Sequence, residues 1–200
     1  FPLSVADYTS EQTEVNVYPT LHAYTDMEVF GAGAYTGANS TKVNLFGGTV
    51  KDVYGGSNKE GVCFNAIVNI PEGSGISMDA VYGGSKGSVL ALPCDVKHTF
   101  VNFYSDDAIV KAGNVYGGNN AYRASQFTNV EYHAKAKDSK GQYLNIFGAG
   151  NGENTVSGRT KVNIGATAQV LNVYGGGNLA DYMGTPVVNM QDGTVNGSIF

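Results

Sequence analysis

A short repeated pattern constrains the fold of this chain more than any other feature does. An aliphatic residue, an aromatic residue, a glycine and a second small residue follow one another at six places. The copies begin at Val29, Val53, Val81, Val115, Ile146 and Val173, and Ile199-Phe200 stands where a seventh would begin. Self-similarity with a period of about 20 to 50 residues is typical of solenoids and repeat arrays.

A second pattern, valine-asparagine-apolar residue, alternates with the first. Its valines are Val15, Val43, Val68, Val101, Val130, Val162 and Val188. Glu131 replaces the asparagine in one copy. A threonine usually stands two residues before the valine, at Thr13, Thr41, Thr99, Thr128 and Thr160. This period of two predicts a strand with threonine, valine and the last apolar residue on one face and asparagine on the other.

The fixed order of the two patterns predicts a coil that returns to the same place about every 28 residues. Each unit is too short to bury its own apolar face, so it must stack on its neighbours. We therefore expect an all-β fold, a right-handed parallel β-helix (β-solenoid) of about seven coils. The valines should form one inward column with parallel neighbours, and the aromatic residues one continuous stack. Residues 1–200 are predicted to form a single domain, with an irregular lead-in at residues 1–12.

The ends and the glycines lead to two further expectations. The chain begins at Phe1 without a methionine and stops at Phe200 within the pattern, which predicts a segment excised from a longer repeat protein with an exposed end. Glycine contributes 28 of the 200 residues. We expect the glycine after each aromatic residue to adopt positive φ in a sharp turn, as asparagine does at Asn58, Asn120, Asn151 and Asn178.

Charge and hydropathy argue against two classes of partner. The net charge is −5, and the two arginines, Arg123 and Arg159, make no basic stripe, so a nucleic acid partner is not expected. No run of about 18 apolar residues exists, so membrane insertion is not expected.

The repeats resemble those of a known group of proteins. Val173-Tyr174-Gly175-Gly176-Gly177-Asn178, the Thr-x-Val-Asn-Ile segments and the Gly-Thr-Val segments are similar to the Gly-rich β-helix repeats of secreted or surface-anchored proteins of gut bacteria. The resemblance covers about residues 13 to 200. It implies an extracellular or cell-surface location and an adhesive or structural role, and it implies no particular chemistry.

Motifs for catalysis are weak in this sequence. Gly83-Gly84-Ser85-Lys86-Gly87 matches the Gly-x-Ser-x-Gly nucleophile pattern, but Ser85 stands at a turn position that other repeats fill with glycine, serine or asparagine. His22, His98 and His133 occupy different parts of the repeat. We therefore assign no catalytic residue and no cofactor.

Two pairs of side chains could interact between coils. Glu28 and Asp52 should lie on adjacent coils, where they could hold Ca²⁺ as a weak metal candidate or remain solvated. Cys63 and Cys94 occupy similar places in consecutive coils, where they could form a disulfide or remain reduced. Asp106-Asp107 is a further acidic spot, and the asparagine column is expected to form a structural ladder.

Two legs of the repeat are longer than the others. Nineteen residues separate Tyr82 from Val101, and 17 separate Val130 from Phe147. Extra residues in solenoids collect in loops, and loops on a rigid scaffold often bind partners. The candidate binding residues are Leu90, Leu92, Lys97, His133, Lys135, Lys137 and Lys140.

The leading functional hypothesis is a non-enzymatic binding, adhesion or scaffold module of a bacterial extracellular protein, with a host or cell-wall glycan or glycoprotein as its partner. One alternative is a polysaccharide-processing β-helix enzyme, a lyase or glycoside hydrolase. The outward columns hold few carboxylates, and glycosidic cleavage needs two placed ones. We therefore expect no such activity. The second alternative is a purely structural spacer. An exposed end also predicts end-to-end self-association.

Overall fold

The chain is built from parallel strands that coil upon themselves. The structure is a computed structural model that describes residues 12–20, 24–88 and 93–200. It is an all-β parallel solenoid of about six turns with a repeat spacing of about 29 residues, close to the predicted seven coils and 28 residues. No helix occurs among these described residues. The predicted fold class is therefore confirmed.

Nineteen strands make up the coils in the described part of the chain. They are β1 (Gln12–Val17), β2 (Val29–Phe30), β3 (Ser40–Leu45), β4 (Gly47–Thr49), β5 (Asp52–Tyr54), β6 (Cys63–Ile70), β7 (Gly75–Met78), β8 (Ala80–Tyr82), β9 (Val96–Phe103), β10 (Ile109–Val110), β11 (Asn114–Tyr116), β12 (Tyr122–Tyr132), β13 (Asn145–Phe147), β14 (Asn154–Ile164), β15 (Gln169–Val170), β16 (Asn172–Tyr174), β17 (Asp181–Tyr182), β18 (Val187–Met190) and β19 (Thr194–Val195).

The strands form three walls. The long sheet runs in the order β1-β3-β6-β9-β12-β14-β17, with β18 also paired to β14. The aromatic sheet runs β16-β13-β11-β8-β5-β2, and a short wall contains β10-β7-β4 and the pair β15-β19. A typical coil passes from the long sheet through the short wall to the aromatic sheet, as β6, β7 and β8 do. The two repeated patterns predict the first and last of these walls, and the short wall between them was not predicted.

The valine column has the predicted geometry. Parallel pairing places each valine directly beside the next, from Val15 on β1 to Val188 on β18. Val43, Val68, Val101, Val130 and Val162 are fully buried. Burying a side chain of this size stabilises the fold by about 1.5 kcal/mol or more, so the column is a main source of core stability.

The threonines of the long sheet have a role that alternation alone does not explain. In five coils the threonine hydroxyl donates a hydrogen bond across the interior to the carbonyl of the glycine that follows the aromatic residue. The donors are Thr13, Thr41, Thr99, Thr128 and Thr160, and the acceptors are Gly31, Gly55, Gly117, Gly148 and Gly175. These bonds join the long sheet to the aromatic sheet and satisfy carbonyls that would otherwise be buried without a partner.

The glycines after the aromatic residues do not have positive φ, so that expectation was wrong. Positive φ is found instead at Gly47, Gly48, Gly61, Gly73, Gly87, Gly113 and Gly141, and at Arg123 and Asp192. The glycine column is required by close approach. A Cβ at Gly55 would lie 2.3 Å from the carbonyl oxygen of Gly83 in the next coil. Any side chain there would force the coils apart.

The asparagines after these glycines were also expected to have positive φ, and this expectation was wrong as well. None of Asn58, Asn120, Asn151 and Asn178 has positive φ. Three of them form a ladder instead, since Asn178 donates to Asn151 and Asn151 donates to Asn120. Asn120 in turn donates to the Tyr54 hydroxyl at 3.1 Å.

The aromatic residues form the predicted continuous stack. Successive ring centroids lie 4.4 to 5.0 Å apart. Its members are Phe30, Tyr54, Tyr82, Tyr116, Phe147, Tyr174 and Phe200. Rings at this separation attract each other by about 0.5 to 1.5 kcal/mol per pair beyond burial, so the stack holds the aromatic sheet in register.

Candidate functional site

The amide ladder of the long sheet lines its outer face, as predicted. Its asparagine members are Asn16, Asn44, Asn69, Asn102, Asn163 and Asn189. In every member after Asn16, the side-chain nitrogen donates to the side-chain oxygen at the same position of the preceding coil or, for Asn163, to Glu131; where two asparagines meet, the distance is 2.7 to 2.9 Å. Glu131 takes the place of an asparagine and accepts from Asn163 and Asn129. The ladder is therefore structural, while its outward lone pairs and hydrogens remain available to a ligand.

Ser85 is a buried turn residue and not an exposed nucleophile. Its hydroxyl accepts a hydrogen bond from the backbone N–H of Ser57 at 3.0 Å, and its own N–H donates to the side chain of Asn119 at 2.9 Å. The three side chains are stacked in consecutive coils and fully buried. The Gly-x-Ser-x-Gly match thus belongs to the repeat.

Glu28 and Asp52 lie on adjacent coils, because Val29 pairs with Val53 directly after them. Lys86 donates to both oxygens of Glu28 at 2.7 Å, so a lysine supplies the cation next to this carboxylate. Burial raises the pKa of Asp52 above its ordinary value, and Asp79 and Glu28 add to the effect. Among the described residues, no group of three or more His, Cys, Asp or Glu side chains is arranged to hold a metal ion.

The structure records Cys63 and Cys94 as free, buried cysteines. Burial raises the pKa of the Cys94 thiol to about 11 and raises that of Cys63 in the same direction. Neither thiol is therefore activated at neutral pH. The disulfide remains a prediction that mass spectrometry of the oxidised protein would test.

The first long leg, from Tyr82 to Val101, was expected to place Lys97 in a loop, and the structure differs there. Leu90 and Leu92 lie outside the described residues, as does His22. Lys97 belongs to strand β9 and not to a loop, because the long sheet begins earlier in this coil than the repeat implies. Its ammonium lies 4.4 Å from the centre of the Phe64 ring, on the outer face of the long sheet.

The second long leg forms a small excursion. Lys137 pairs in parallel with Ile109 and antiparallel with Tyr143. Lys140 lies in the turn between Lys137 and Tyr143. Lys135 is exposed and lies between the buried residues Ala134 and Ala136, so this segment continues the alternation of inward and outward side chains along the wall. The exposed lysines are Lys135, Lys137 and Lys140, and His133 stands apart from them at the corner next to the long sheet.

His133 belongs to a pocket at the corner where the long sheet meets the short wall. This corner pocket has a volume of about 300 Å³ and is lined by Glu72, Gly73, Tyr104, Asp106, Asp107, His133 and Thr167. Tyr104 and His133 follow β9 and β12, and their rings stack with centroids 4.9 Å apart. The Tyr104 side chain is 38% exposed, so part of the ring is accessible.

The corner turns hold the pocket in place. Buried Ser105 donates to the carbonyl of Ser74 at 2.8 Å, and Ser74 donates to the carbonyl of Leu45 at 2.6 Å. These bonds join the turns of three consecutive coils. Asp106 accepts the backbone N–H of Lys135 at 2.7 Å, which ties the acidic turn to the next coil.

The His133 ring has contacts on several sides. Its Nε2 lies 3.7 Å from a carboxylate oxygen of Glu131. A Cβ at Gly165 would come within 2.1 Å of Nδ1, so glycine is needed for the ring to lie where it does. The lining of the pocket therefore combines the stacked Tyr104 and His133 rings with the carboxylates of Glu72, Asp106 and Asp107.

Sequence reasoning identified His133 and Asp106-Asp107 separately and missed that they share a pocket. The repeat does contain a pattern that could have predicted this pocket. The residue directly after the valine-asparagine-apolar triplet is aromatic or histidine at Tyr18, Phe46, Tyr104 and His133. Tyr18 and Phe46 also stack, with centroids 5.1 Å apart.

Two findings concern the chain as a whole. Within the described ranges, no helix has the length and apolar character needed to cross a membrane. No family model, no curated protein and no solved structure matches the chain.

Proposed function

We propose that the chain is a non-enzymatic, carbohydrate-binding scaffold module, and that the corner pocket takes a neutral sugar. The observation that supports this proposal is the stacked Tyr104–His133 pair beside three exposed carboxylates in one pocket. An aromatic ring fits the apolar C–H face of a sugar, and carboxylates accept hydrogen bonds from its hydroxyls.

The size of the pocket limits the ligand. A volume of about 300 Å³ is at the lower end of small-molecule sites, which run from about 300 to 1,000 Å³. One or two sugar units of a glycan or glycoprotein would fit it. Placement on turns between rigid strands is typical of binding sites.

An extracellular or bacterial cell-surface location belongs to the same proposal. It rests on the resemblance of the repeats to those of surface proteins. Self-association of this chain end to end is a further expectation.

A panel of neutral oligosaccharides, tested by isothermal titration calorimetry, would examine the pocket. We expect Tyr104→Ala to weaken binding by about tenfold, because one stacking ring contributes on the order of 1.4 kcal/mol. Tyr35→Ala is the matched control, since Tyr35 is 56% exposed and does not line the pocket. Equal binding by both variants would reject the corner pocket, and no binding of any sugar or glycoprotein would favour the structural spacer.

A polysaccharide-processing enzyme is the second candidate, because carboxylates and an imidazole share the pocket. The Asp106 carboxylate accepts a backbone hydrogen bond, and the three carboxylates stand on exposed turns, so we favour binding over cleavage. The test is release of reducing ends or unsaturated products from polysaccharides. Release that disappears in Asp106→Asn and Asp107→Asn would replace the binding proposal with an enzyme. Loss only in a Glu28→Gln, Asp52→Asn double variant would instead place an active site at that pair.

A further inference from the structure

The outer face of the long sheet has an apolar centre with cations around it. Parallel pairing places Ile67 beside Phe100. Phe100 and Phe127 have ring centroids 6.3 Å apart. All three side chains are partly exposed. They form a continuous apolar area across β6, β9 and β12.

Four cationic side chains surround this area. Lys42 stands beside Ile67, and Arg159 stands beside Phe127. Lys97 lies over the Phe64 ring, and Lys161 stands two strands from Phe100, with Asn129 between them. We call this surface, with its cations Lys42, Lys97, Arg159 and Lys161, the outer-face patch. From β3 to β14 it covers four strand spacings, or about 19 Å.

The patch is positive on a protein whose net charge is −5. In the described part of the chain, Lys42, Arg159 and Lys161 form no salt bridge. Three carboxylates of the described strands share this face: Glu14 and Glu131, which already accept hydrogen bonds from the amide ladder, and the exposed Asp181 on β17 beside Val156. Local charge therefore favours an extended anionic ligand over a neutral or cationic one.

The amide ladder borders the patch on β3, β6, β9 and β14, and Glu131 holds its position on β12. Asn102 follows Phe100 by two residues on β9 and so points to the same side of the sheet. Asn44 uses both amide hydrogens, on Asn16 and Glu14, and is buried like Asn163. The partly exposed Asn69 and Asn102 each use one hydrogen within the ladder and can offer the other to hydroxyl groups. An apolar strip, a row of amides and spaced cations together match a chain that has C–H faces, hydroxyls and acidic groups.

We propose that the outer-face patch binds an acidic polysaccharide along the long sheet. This surface is separate from the corner pocket, so the proposal does not depend on the neutral sugar placed there. Nucleic acid has a similar charge, but four cations on an acidic protein give little phosphate neutralisation, and the amide row fits a hydroxyl-rich chain better.

The test measures binding of the 200-residue chain to four polymers: polygalacturonate, dextran sulfate, neutral dextran and poly(dT). We expect one or both acidic polysaccharides to bind and neutral dextran not to bind. Binding should weaken as salt rises from about 50 to 200 mM, because exposed charges are screened. Comparison of polygalacturonate with dextran sulfate would distinguish carboxylate from sulfate recognition.

A triple variant, Lys97→Gln, Arg159→Gln and Lys161→Gln, should lower the affinity for the acidic polysaccharide at least tenfold, on the order of three weakened ion pairs. The matched control removes the same charge elsewhere, with Lys135→Gln, Lys137→Gln and Lys140→Gln. Circular dichroism would verify that both variants fold. Tyr104→Ala should leave polyanion binding unchanged.

Four results would overturn the proposal. One is equal loss in the two triple variants, which would indicate net charge alone. Another is loss only in the control, which would place the binding surface at the basic excursion after His133. The third is tighter binding of poly(dT) than of either polysaccharide, which would identify a nucleic acid surface. The fourth is no binding of either acidic polysaccharide.

Discussion

Glycine after each stacked aromatic residue lies where two backbones pass in contact. The carbonyl of one glycine points at the Cα of the glycine in the preceding coil, and the threonine hydroxyl of its own coil holds that carbonyl in place. A side chain at this glycine would push away both the carbonyl of the neighbouring coil and the threonine that binds it. The requirement therefore concerns space between coils, whereas a requirement for positive φ would concern only the local turn.

Replacement of Gly83 by alanine should destabilise the protein strongly. The new Cβ would stand 2.3 Å from the Gly117 carbonyl oxygen and 3.1 Å from Cβ of Thr99. We expect the free energy of unfolding to fall by about 3 kcal/mol, in the upper range of overpacking effects. Gly75→Ala is the control, because no atom lies within 4 Å of its Cβ position and its φ is not positive. Urea denaturation measures both, and similar losses would show that close approach is not the cause.

Asp52→Asn should stabilise the protein at neutral pH. Burial is the main reason that the folded-state pKa of Asp52 is raised, followed by repulsion from Asp79 and Glu28. The folded chain then holds a proton that the unfolded chain has lost, so the free energy of unfolding falls as pH rises from the unfolded pKa through the folded one. Asparagine keeps the size and removes the charge. Its advantage should be present at pH 7 and shrink towards pH 4.

The control for this variant is Asp26→Asn, an exposed position for which we expect no change. Thermal melts at pH 4 and pH 7 would measure both variants. An Asp52→Asn protein that is less stable at pH 7 would mean that attraction to Lys51 and the hydrogen bond from Ala80 outweigh burial.

Residue patterns predict some side chains of this molecule well and others poorly. The valine column and the amide ladder follow from alternation within one strand, so the sequence is sufficient for them. The corner pocket combines turns from different coils, among them Glu72, Tyr104, His133 and Thr167. Their proximity depends on the register between coils, which sequence spacing gives only approximately when legs differ in length.

At the scale of the elements, the aromatic stack is the clearest case in which sequence order predicts structure. Its members from Phe30 to Tyr174 stand directly before the glycine column, so parallel pairing must place them in one row. The short wall was missed because its strands are only two to four residues long and only β4 and β19 share a motif, the Gly-Thr-Val segment. Its buried residues, such as Ile76, Met78 and Val110, become recognisable only after the coil has been closed.

The tyrosines of the stack should make the protein sensitive to alkali. Burial raises the pKa of Tyr116 to about 12, and it raises the pKa values of Tyr54 and Tyr82 further. An unfolded tyrosine titrates near 10. Between about pH 10 and pH 12 the folded chain keeps protons that the unfolded chain loses, so the free energy of unfolding should fall as pH rises through this window.

Urea denaturation at pH 9, 10 and 11 would test this expectation. Tyr116→Phe removes one of the titrating groups and should make the decline shallower. Tyr35→Phe, at an exposed position, should leave the decline unchanged. An identical decline in all three proteins would assign alkaline sensitivity to groups outside the stack.

At the scale of the whole molecule, each coil is stabilised mainly by the coils on either side. The valines of the central coils are fully buried, whereas Val188 in the last coil is only partly buried. Met183 in the same coil is 84% exposed. A molecule of this kind behaves as a row of coupled units, and its local stability should follow the number of covered neighbours.

Hydrogen exchange should therefore be slowest in the central strands β6, β9 and β12 and faster in β1 and β18. One matched pair of substitutions tests the coupling. Val130→Ala leaves a cavity between two covered coils, which should cost about 2 to 3 kcal/mol and speed exchange in β9 and β14 as well as in β12. Val188→Ala removes the same atoms from a half-covered coil, so its effect should be smaller and confined to β17, β18 and β19. If both variants accelerate exchange equally along the whole chain, the solenoid unfolds as one cooperative unit and the nearest-neighbour description is wrong.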